Sequence, residues 1–260
     1  GGTMMNVMND ERLLAEVREH LYPLLFATVS GAHLYGFPSA DSDYDLRGVH
    51  LLPAERFAGL EPGEETVQST CVRGGMEVDL VTHDARKFFV LLLRNNGYVL
   101  EQLYSPLVVH TTPEHAELME IARGCVTRRC VRHYVGFAAG QWRWFEKEEP
   151  RRIKPLLYVY RVLLTGIQLM RTGRVDASLP ACNAEIGLPY VDELIARKAA
   201  GGEHAVLTDA DVEFHRGEYL RLNERLVEEA GRSALPDEPT ARAALHDLLL
   251  RIRLSPAAVA

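Results

Sequence analysis

The chain has 260 residues, enough for one large domain or two modest ones. Apolar residues make up 47% of it and charged residues 25%, which is ordinary for a globular protein with a substantial core. Its formal net charge of −7 excludes a nucleic-acid binder with a wholly basic surface, so any contact with RNA or DNA requires a local basic patch.

Two further classes of protein are disfavoured by the sequence. The chain shows neither a secretory segment nor an apolar run of membrane length, so we expect a cytoplasmic protein without membrane contact. The four cysteines show no CxxC spacing, so neither a zinc site nor a disulfide framework is indicated.

The first elements in chain order are a helix and a buried strand. Apolar residues recur at helical spacing between about residues 9 and 23, and Asn9 or Asp10 is placed to cap that helix. The apolar run 24–29 predicts a buried strand. A segment rich in turn residues follows, and then acidic and apolar residues alternate over 43–49, which predicts a second strand.

Two carboxylates in the second strand are the first chemical signal. Asp43 and Asp45 are two residues apart, so in a strand they project from the same face. Because adjacent carboxylates repel each other, a positive charge is needed beside them, and a hard divalent cation with oxygen ligands is the usual one. The glycine turn at Ser30-Gly31-Ala32 offers backbone N–H groups to a phosphate. The combination suggests phosphoryl or nucleotidyl transfer, although a DxD pair can also be a solvated turn.

A hairpin is predicted next. The runs 67–72 and 76–81 flank a glycine turn at Gly74, and the second run places Glu77 and Asp79 on one face. Asp84 precedes a strongly helical stretch, 85–93, as an N-cap would.

The rest of the chain is predicted to be mainly helical. After a short helix at 99–103 and a short strand at 107–109, we expect no further strand, so an α/β part gives way to an all-helical part. We therefore predict an α+β protein with a mixed sheet in a first domain, 4–111, and an all-helical second domain, 112–260. The features expected in the second domain are a helix from Thr112, a loop over 176–189, helices over 191–198 and from Thr208 to about 230, a last helix opening at 236–240 and a frayed tail from Ser255.

Basic residues are dense between Arg123 and Arg161, where Trp142 and Trp144 are interleaved. Lys154, Tyr158 and Arg161 are four and three apart and share a helix face. Facing a cleft, they could grip a triphosphate and stack on a base; the alternative is a solvated charged face with a buried tyrosine. Arg47 lies on the strand face of Asp45, where it could pair with Asp43 or Asp45 in the absence of metal, contact a phosphate, or form a structural salt bridge.

These motifs resemble a known family. Gly31-Ala32, a short turn and Asp43-Tyr44-Asp45 are similar to the signature of the DNA polymerase β superfamily of nucleotidyltransferases. The longer string SGAHLYGFPSADSDYDLRGV resembles one branch, the predicted nucleotidyltransferases of the RNA-repair pathway. The segments THDARKF, LEQLYSP and KPLLYVYRVLLTG also look like that branch, so the likeness runs from Ala27 to about Gly173, roughly half the chain.

The resemblance implies a polymerase-β-like catalytic domain and a set of site residues. It implies that Asp43, Asp45 and a third carboxylate from a later strand hold two Mg²⁺ ions, with Mn²⁺ as an alternative. Asp79 is the candidate by position, ahead of Asp84, with Glu77 third. Where the superfamily often has a serine that contacts the nucleotide phosphates, this chain has Ala32, so that contact would fall to Ser30 or to backbone groups.

The resemblance also implies a reaction. It is the Mg²⁺-dependent transfer of a nucleoside monophosphate from an NTP such as ATP to an acceptor hydroxyl, expected at an RNA end, for example of tRNA, bound through the basic stretch. Relatives in the wider superfamily modify proteins with AMP or modify small molecules. A non-enzymatic alternative is a degenerate member that binds nucleotide or RNA as a sensor or antitoxin.

Overall fold

A computed structural model describes residues 7–201 and 206–254, with the backbone alone at Ala210. Five strands form one sheet in the order β3-β4-β2-β1-β5. β2 and β4 are parallel, and every other neighbouring pair is antiparallel, so the sheet is mixed, as predicted. The strands are β1 Leu24–Val29, β2 Tyr44–His50, β3 Thr66–Arg73, β4 Met76–Asp84 and β5 Val108–His110.

Helices make up most of the remaining described chain. Besides three short 3₁₀ turns, the helices are α1 Glu11–Arg18, α2 Gly31–Tyr35, α3 Glu55–Ala58, α4 Ala85–Leu93, α5 Gly97–Leu103, α6 Pro113–Ala122, α7 Val131–Lys147, α8 Ile153–Thr172, α9 Leu179–Ile186, α10 Pro189–Gly201, α11 Asp209–Arg232 and α12 Arg242–Leu254. None of the described helices combines the length and the apolar character needed to cross a bilayer.

The chain packs as two compact units. The first contains the described residues of 1–31, 43–125 and 239–260, and the second contains 32–42 and 126–238. The sheet lies in the first unit, and all six residues of its strand β1 are buried. The last helix, α12, also packs in the first unit, against α4 and α6, although the sequence places it in the predicted second domain.

The second unit is built around α8. Sixteen residues of this 20-residue helix are buried, so it forms the centre of the unit and packs against α7 and α11. The segment 32–42 is held in the same unit by a buried ammonium group. Lys198 Nζ donates to the Phe37 carbonyl oxygen at 3.1 Å and to Ser39 Oγ at 2.8 Å.

Several helix starts are confirmed with their capping chemistry. The side chain of Asp84 accepts from the Arg86 N–H at the start of α4, and that of Thr112 accepts from the His115 N–H at the start of α6. Thr208 and Asp211 form a capping box at the start of α11. The predicted tail from Ser255 and the predicted domain start at 4–6 lie outside the described residues.

Two local predictions are wrong. The stretch 176–189, predicted to be a loop, contains α9, because Ser178 caps a helix whose first turn tolerates Pro180. The predicted glycine turn at Gly31 opens the five-residue helix α2, whereas the predicted turn residues from Gly36 to Ser42 lie outside any helix or strand, as expected. In both places the turn-forming residues lie at a helix terminus, where they start a helix instead of preventing one.

Candidate functional site

Parallel pairing of β2 with β4 brings two of the predicted carboxylates together. The register sets Asp45 directly opposite Asp79. Both side chains remain partly open to solvent, with 21% and 32% of their surface exposed. Asp43 lies one residue before β2 begins and is half-buried, so it is not part of the paired strand. The arrangement therefore presents two adjacent carboxylates at the edge where the two strands start.

The guanidinium of Arg47 bridges the two carboxylates. Its Nη2 donates to Asp45 Oδ1 at 2.7 Å and to Asp79 Oδ2 at 3.0 Å. Its Nη1 donates to the backbone carbonyls of Asp79 at 2.6 Å and Leu46 at 3.1 Å. One half of the guanidinium is thus anchored to the backbone, while the other half neutralises the acidic pair.

The environment keeps Arg47 charged. Burial by itself would lower the pKa of Arg47, but the neighbouring Tyr98, Asp45 and Asp79 outweigh that effect and raise it. The sequence left a structural salt bridge and a metal-free pairing open as roles for Arg47. In the structure its carboxylate partners are Asp45, which was anticipated, and Asp79, which was not.

The geometry at position 31 explains why this position requires glycine. Its φ is +63°, a conformation that side-chain-bearing residues rarely adopt. A Cβ at this position would lie 1.8 Å from Asp45 Oδ2 and 2.8 Å from Asp45 Cγ. The backbone of Ser30 adds a second link, because its N–H donates to the Asp45 carbonyl oxygen at 2.8 Å. The start of α2 is therefore fitted against the carboxylate of Asp45.

Two small residues flank Gly31. Ser30 is fully buried, and its hydroxyl has no hydrogen-bond partner among the described residues. A buried hydroxyl without a partner is energetically costly, and a bound molecule that accepted a hydrogen bond from it would remove that cost. Ala32 is 5% exposed.

Two residues at the carboxylate pair were not predicted. Thr70 Oγ1 donates to Asp79 Oδ1 at 3.2 Å, and Tyr98 interacts with Arg47. Thr70 could have been found from the sequence, because the two-residue turn Gly74–Gly75 fixes a hairpin register in which Thr70 faces Asp79. Tyr98 carries no comparable signal, because it comes from α5, far from Arg47 in the sequence.

The other predicted nucleotide contacts lie on α8 in the second unit. Arg161 is 2% exposed, and its guanidinium carbon lies 4.0 Å from the centre of the Tyr35 ring. Tyr158 is half-buried and meets the rings of Tyr35 and Phe37 edge-on. Lys154 is half-buried, one turn before Tyr158. The alternative of a solvated face does not describe Arg161, which is buried against an aromatic ring.

The acidic pair has part of the ligand set that a divalent cation requires. Within residues 7–201 and 206–254, no group of three or more His, Cys, Asp and Glu side chains is arranged to hold a metal ion. The donor chemistry of Asp45 and Asp79 nevertheless fits Mg²⁺, because both are partly exposed carboxylates with an oxygen within 3.0 Å of the same atom, Arg47 Nη2. Arg47 supplies at this point the positive charge that a cation would supply.

Half of the ten lysines and arginines in the basic stretch 123–161 are neutralised within the protein. Five of its arginines pair with carboxylates: Arg123 with Glu120, Arg128 with Asp237, Arg129 with Glu238, Arg151 with Glu149 and Asp209, and Arg152 with Glu148. These five would have to exchange partners to contact RNA. The predicted footprint is therefore narrower than the sequence suggested.

Comparison with known protein families identifies the family of this chain. The sequence profile of the RNA repair pathway DNA polymerase beta family matches residues 5–251, which is most of the chain. The chain belongs to this family. The resemblance seen in the sequence motifs is thereby confirmed, and the protein is a polymerase β-like nucleotidyltransferase. The predicted fold class, a polymerase-β-like sheet domain with an additional helical part, is confirmed with it.

Relatives extend over most of the length of the chain. The uncharacterized protein MJ0002 of Methanocaldococcus jannaschii is 26% identical over 235 residues, which cover 88% of this chain and 94% of that protein. The uncharacterized protein YcgL of Bacillus subtilis is 25% identical over 205 residues, covering 78% and 74%. A solved nucleotidyltransferase-like protein from Exiguobacterium sibiricum aligns with a TM-score of 0.34 at 10% identity, over 88% of this chain and 77% of that one.

Proposed function

We propose that this nucleotidyltransferase moves a nucleoside monophosphate from an NTP to a hydroxyl at an RNA end. The observation that carries the proposal is the pairing of Asp45 with Asp79 across β2 and β4, with Gly31 fitted against Asp45. Carboxylates in this position suit a reaction at phosphorus, in which negative charge develops on the attacking and the leaving oxygens.

The metal ligands of the proposal are Asp43, Asp45 and Asp79. When bound, two Mg²⁺ ions, or Mn²⁺ in their place, would lower the pKa of the attacking hydroxyl and neutralise the departing pyrophosphate. Parallel strand pairing supports this set, because it fixes the backbones of Asp45 and Asp79 before any ligand arrives. The rival Asp84 is fully buried and already bonded as a helix cap, which leaves it poorly suited to the role.

Arg47 is proposed to hold the acidic pair in place and then to contact phosphate. Its Nη1 stays anchored to two carbonyl groups, so loss of the carboxylate contacts would not release the side chain. Its Nη2 could then exchange Asp45 and Asp79 for a phosphate oxygen when the carboxylates engage cations.

The phosphates are proposed to lie against the turn Ser30-Gly31-Ala32. Its backbone N–H groups and the unpartnered Ser30 hydroxyl are donors of the required kind, and Ala32 contributes only its backbone. Binding of the triphosphate by Lys154 and Arg161, and of the base by Tyr158, belongs to the same proposal.

The test is transfer of label from α-labelled NTPs to total RNA in the presence of Mg²⁺. Asp45→Asn and Asp79→Asn should each lower the rate by about 10³-fold, because each removes a charge that supports the metal ions. Glu77→Gln is the matched control, since Glu77 is exposed on the same strand two residues before Asp79 and should leave transfer unchanged.

Other outcomes would replace the proposal. Label on polypeptide instead of RNA would identify a protein-AMPylating or antitoxin-like enzyme. NTP binding that depends on Mg²⁺, without transfer to any acceptor, would identify a nucleotide sensor. Transfer that survives Asp79→Asn would overturn the metal assignment.

A further inference from the structure

One surface of the second unit is basic and remains unneutralised. Residues 131–172 carry eight lysines and arginines against three glutamates, in a chain whose net charge is −7. Arg151 and Arg152 are paired and Arg161 is buried, as described above, Lys154 is half-buried, and Arg171 Nε lies 4.0 Å from Glu229 Oε1. Three are different: Arg132, Arg143 and Lys147 make no ion pair with any carboxylate in the described part of the chain, and all three are exposed.

These three cations lie along one face of α7. At 3.6 residues per turn, Arg132, Gly136, Gly140, Arg143 and Lys147 fall within about 80° of one another around the helix. We call this set the α7 stripe. Its ends, Arg132 and Lys147, are separated by about 22 Å along the helix axis, at about 1.5 Å per residue.

The middle of the α7 stripe has no side chains. Outside the neighbouring backbone of α7, a Cβ added at Gly136 or Gly140 would meet no atom of the described residues within 4 Å, so no other described side chain packs against these positions. A glycine in the interior of a helix destabilises it relative to alanine, yet this helix has two, one turn apart on its solvent face. A bound molecule could therefore approach the backbone of α7 closely between the flanking cations.

The residues around the α7 stripe are an exposed aromatic ring, an acid that is already paired, and the buried core face of the helix. Trp144, 48% exposed, projects at one flank of the stripe. Glu146, the one acid in α7, is not available to neutralise the stripe, because its Oε1 accepts from Arg216 Nη1 at 2.7 Å. The opposite face of the helix is occupied by the core, which buries Tyr134, Ala138, Trp142 and Phe145.

We propose that the α7 stripe binds the sugar-phosphate backbone of an RNA strand, with Trp144 stacked on one of its bases; this rests on the proposed function in naming RNA as the acceptor. A row of unpaired cations is complementary to a row of phosphates. An exposed aromatic ring beside such a row is the usual platform for an unpaired base. A membrane surface fits less well, because the apolar face of α7 is buried in the protein and cannot enter a bilayer.

The test measures binding alone, without NTP and with EDTA present. The anisotropy of a fluorescein-labelled single-stranded RNA of mixed sequence is followed over a range of KCl concentrations. Replacing the three cations together (Arg132→Gln, Arg143→Gln and Lys147→Gln) should flatten the slope of log K against log [KCl] by about 2, since each phosphate contact to a single strand contributes about 0.7.

A second triple variant serves as the matched control. Arg18→Gln, Arg174→Gln and Arg232→Gln remove the same charge from side chains that are 60%, 60% and 75% exposed elsewhere, and should leave the slope unchanged. Trp144→Ala should weaken binding about fivefold or more without changing the slope, and Trp144→Phe should restore most of it.

The outcomes separate this inference from the function it rests on. RNA binding lost in the α7 triple variant, in an enzyme that transfers label only to protein, supports the surface while overturning the acceptor. Transfer to RNA with equal slopes for both triple variants overturns the surface and leaves the function standing. Capture by phosphatidylcholine–phosphatidylserine vesicles, lost in the α7 triple variant, with no binding of RNA, overturns the proposal in favour of a membrane surface.

Discussion

The two ends of the paired strands β2 and β4 are built on opposite principles. At one end, the carboxylates of Asp45 and Asp79 are partly exposed and are bridged by the guanidinium of Arg47. Five residues further along each strand, about 17 Å away, His50 and Asp84 are fully buried. The same backbone ladder therefore supports a partly exposed acidic pair at one end, called here the open end, and a buried hydrogen-bonded network at the other, called the closed end.

At the closed end, the buried polar side chains find their hydrogen-bond partners within the protein. Because the Glu64 carbonyl oxygen can only accept, His50 Nε2 carries a proton and donates to it at 2.9 Å. His50 Nδ1 then accepts from Thr82 Oγ1 at 2.8 Å, and His20 Nε2 lies 2.9 Å from the same hydroxyl, to which it can donate. A ligand would have to break this network to bind here, whereas at the open end only the contacts of Arg47 Nη2 with Asp45 and Asp79 would be exchanged.

The largest expected effect is on stability, at the closed end. Asp84 accepts from the N–H groups of Leu52 and Arg86 and forms a two-pronged ion pair with Arg253 at 3.0 and 2.9 Å. Asp84→Ala leaves the largely buried Arg253 without this carboxylate and should lower the free energy of unfolding by about 3–5 kcal/mol. Urea unfolding at neutral pH measures the loss.

The matched variant for this prediction is at the open end. Asp79→Asn relieves repulsion between two carboxylates and keeps a hydrogen-bonding oxygen, so its free energy of unfolding should change by less than about 1 kcal/mol. An equal loss of stability in Asp79→Asn and Asp84→Ala would contradict the division of the strand pair into a ligand end and a structural end.

The next effect in size is acid destabilisation at the closed end. Burial lowers the pKa of His50 from 6.5 to about 4, with smaller opposing contributions from the Glu64 carbonyl and Asp84 and a lowering by His20 and His83. The unfolded chain therefore binds more protons than the folded one between pH 6.5 and 4. The contribution of His50 to the free energy of unfolding is fully present above pH 6.5. It is lost as the pH falls through that window, and the loss amounts to about 3 kcal/mol.

Urea unfolding across this pH range checks the prediction. Other buried histidines contribute to the slope, so the informative quantity is the difference between the wild type and His50→Gln. The variant should be less stable at pH 7 and should lose less stability on acidification. Parallel curves for the two proteins would show that His50 does not titrate differently in the folded and unfolded states.

More of the open end than of the closed end could be predicted from the sequence, because the signals at the open end are local. Asp45 and Asp79 lie in stretches where acids alternate with apolar residues, which is a local pattern, and the cap at Asp84 is also local. The partner of Asp84 is not: Arg253 lies 169 residues away, and only the packing of α12 brings it near. The pairing of β2 with β4 has no local signature either, because β3 lies between them in the sequence although they are neighbours in the sheet.

The third effect concerns the fit of Gly31 against Asp45. Gly31→Ala should lower transfer about a hundredfold, because the new methyl group forces the Asp45 carboxylate to rotate away from Asp79. The carboxylate is the far end of a side chain and can move, so the fold should survive. Gly75→Ala is the control, since its φ is also positive, at +78°, but its Cβ would meet no atom within 4 Å.

Both glycine variants should lose about 1 kcal/mol of stability from backbone strain, measured by thermal unfolding. Only Gly31→Ala should lose transfer. If the two variants transfer equally well, the close approach of Gly31 to Asp45 has no role in the reaction.

The smallest effect is expected at Thr70, the hairpin partner of Asp79. Its hydroxyl donates to Asp79 Oδ1 at 3.2 Å from an exposed position, so the bond orients the carboxylate without burying it. Thr70→Val keeps the β-branched shape and removes the donor, and transfer should fall about threefold, with Thr70→Ser retaining most of it. Because a wrongly oriented carboxylate binds a cation less well, raising the Mg²⁺ concentration should recover the rate in Thr70→Val. A loss that Mg²⁺ does not recover would mean that Thr70 acts on the substrate and not through Asp79.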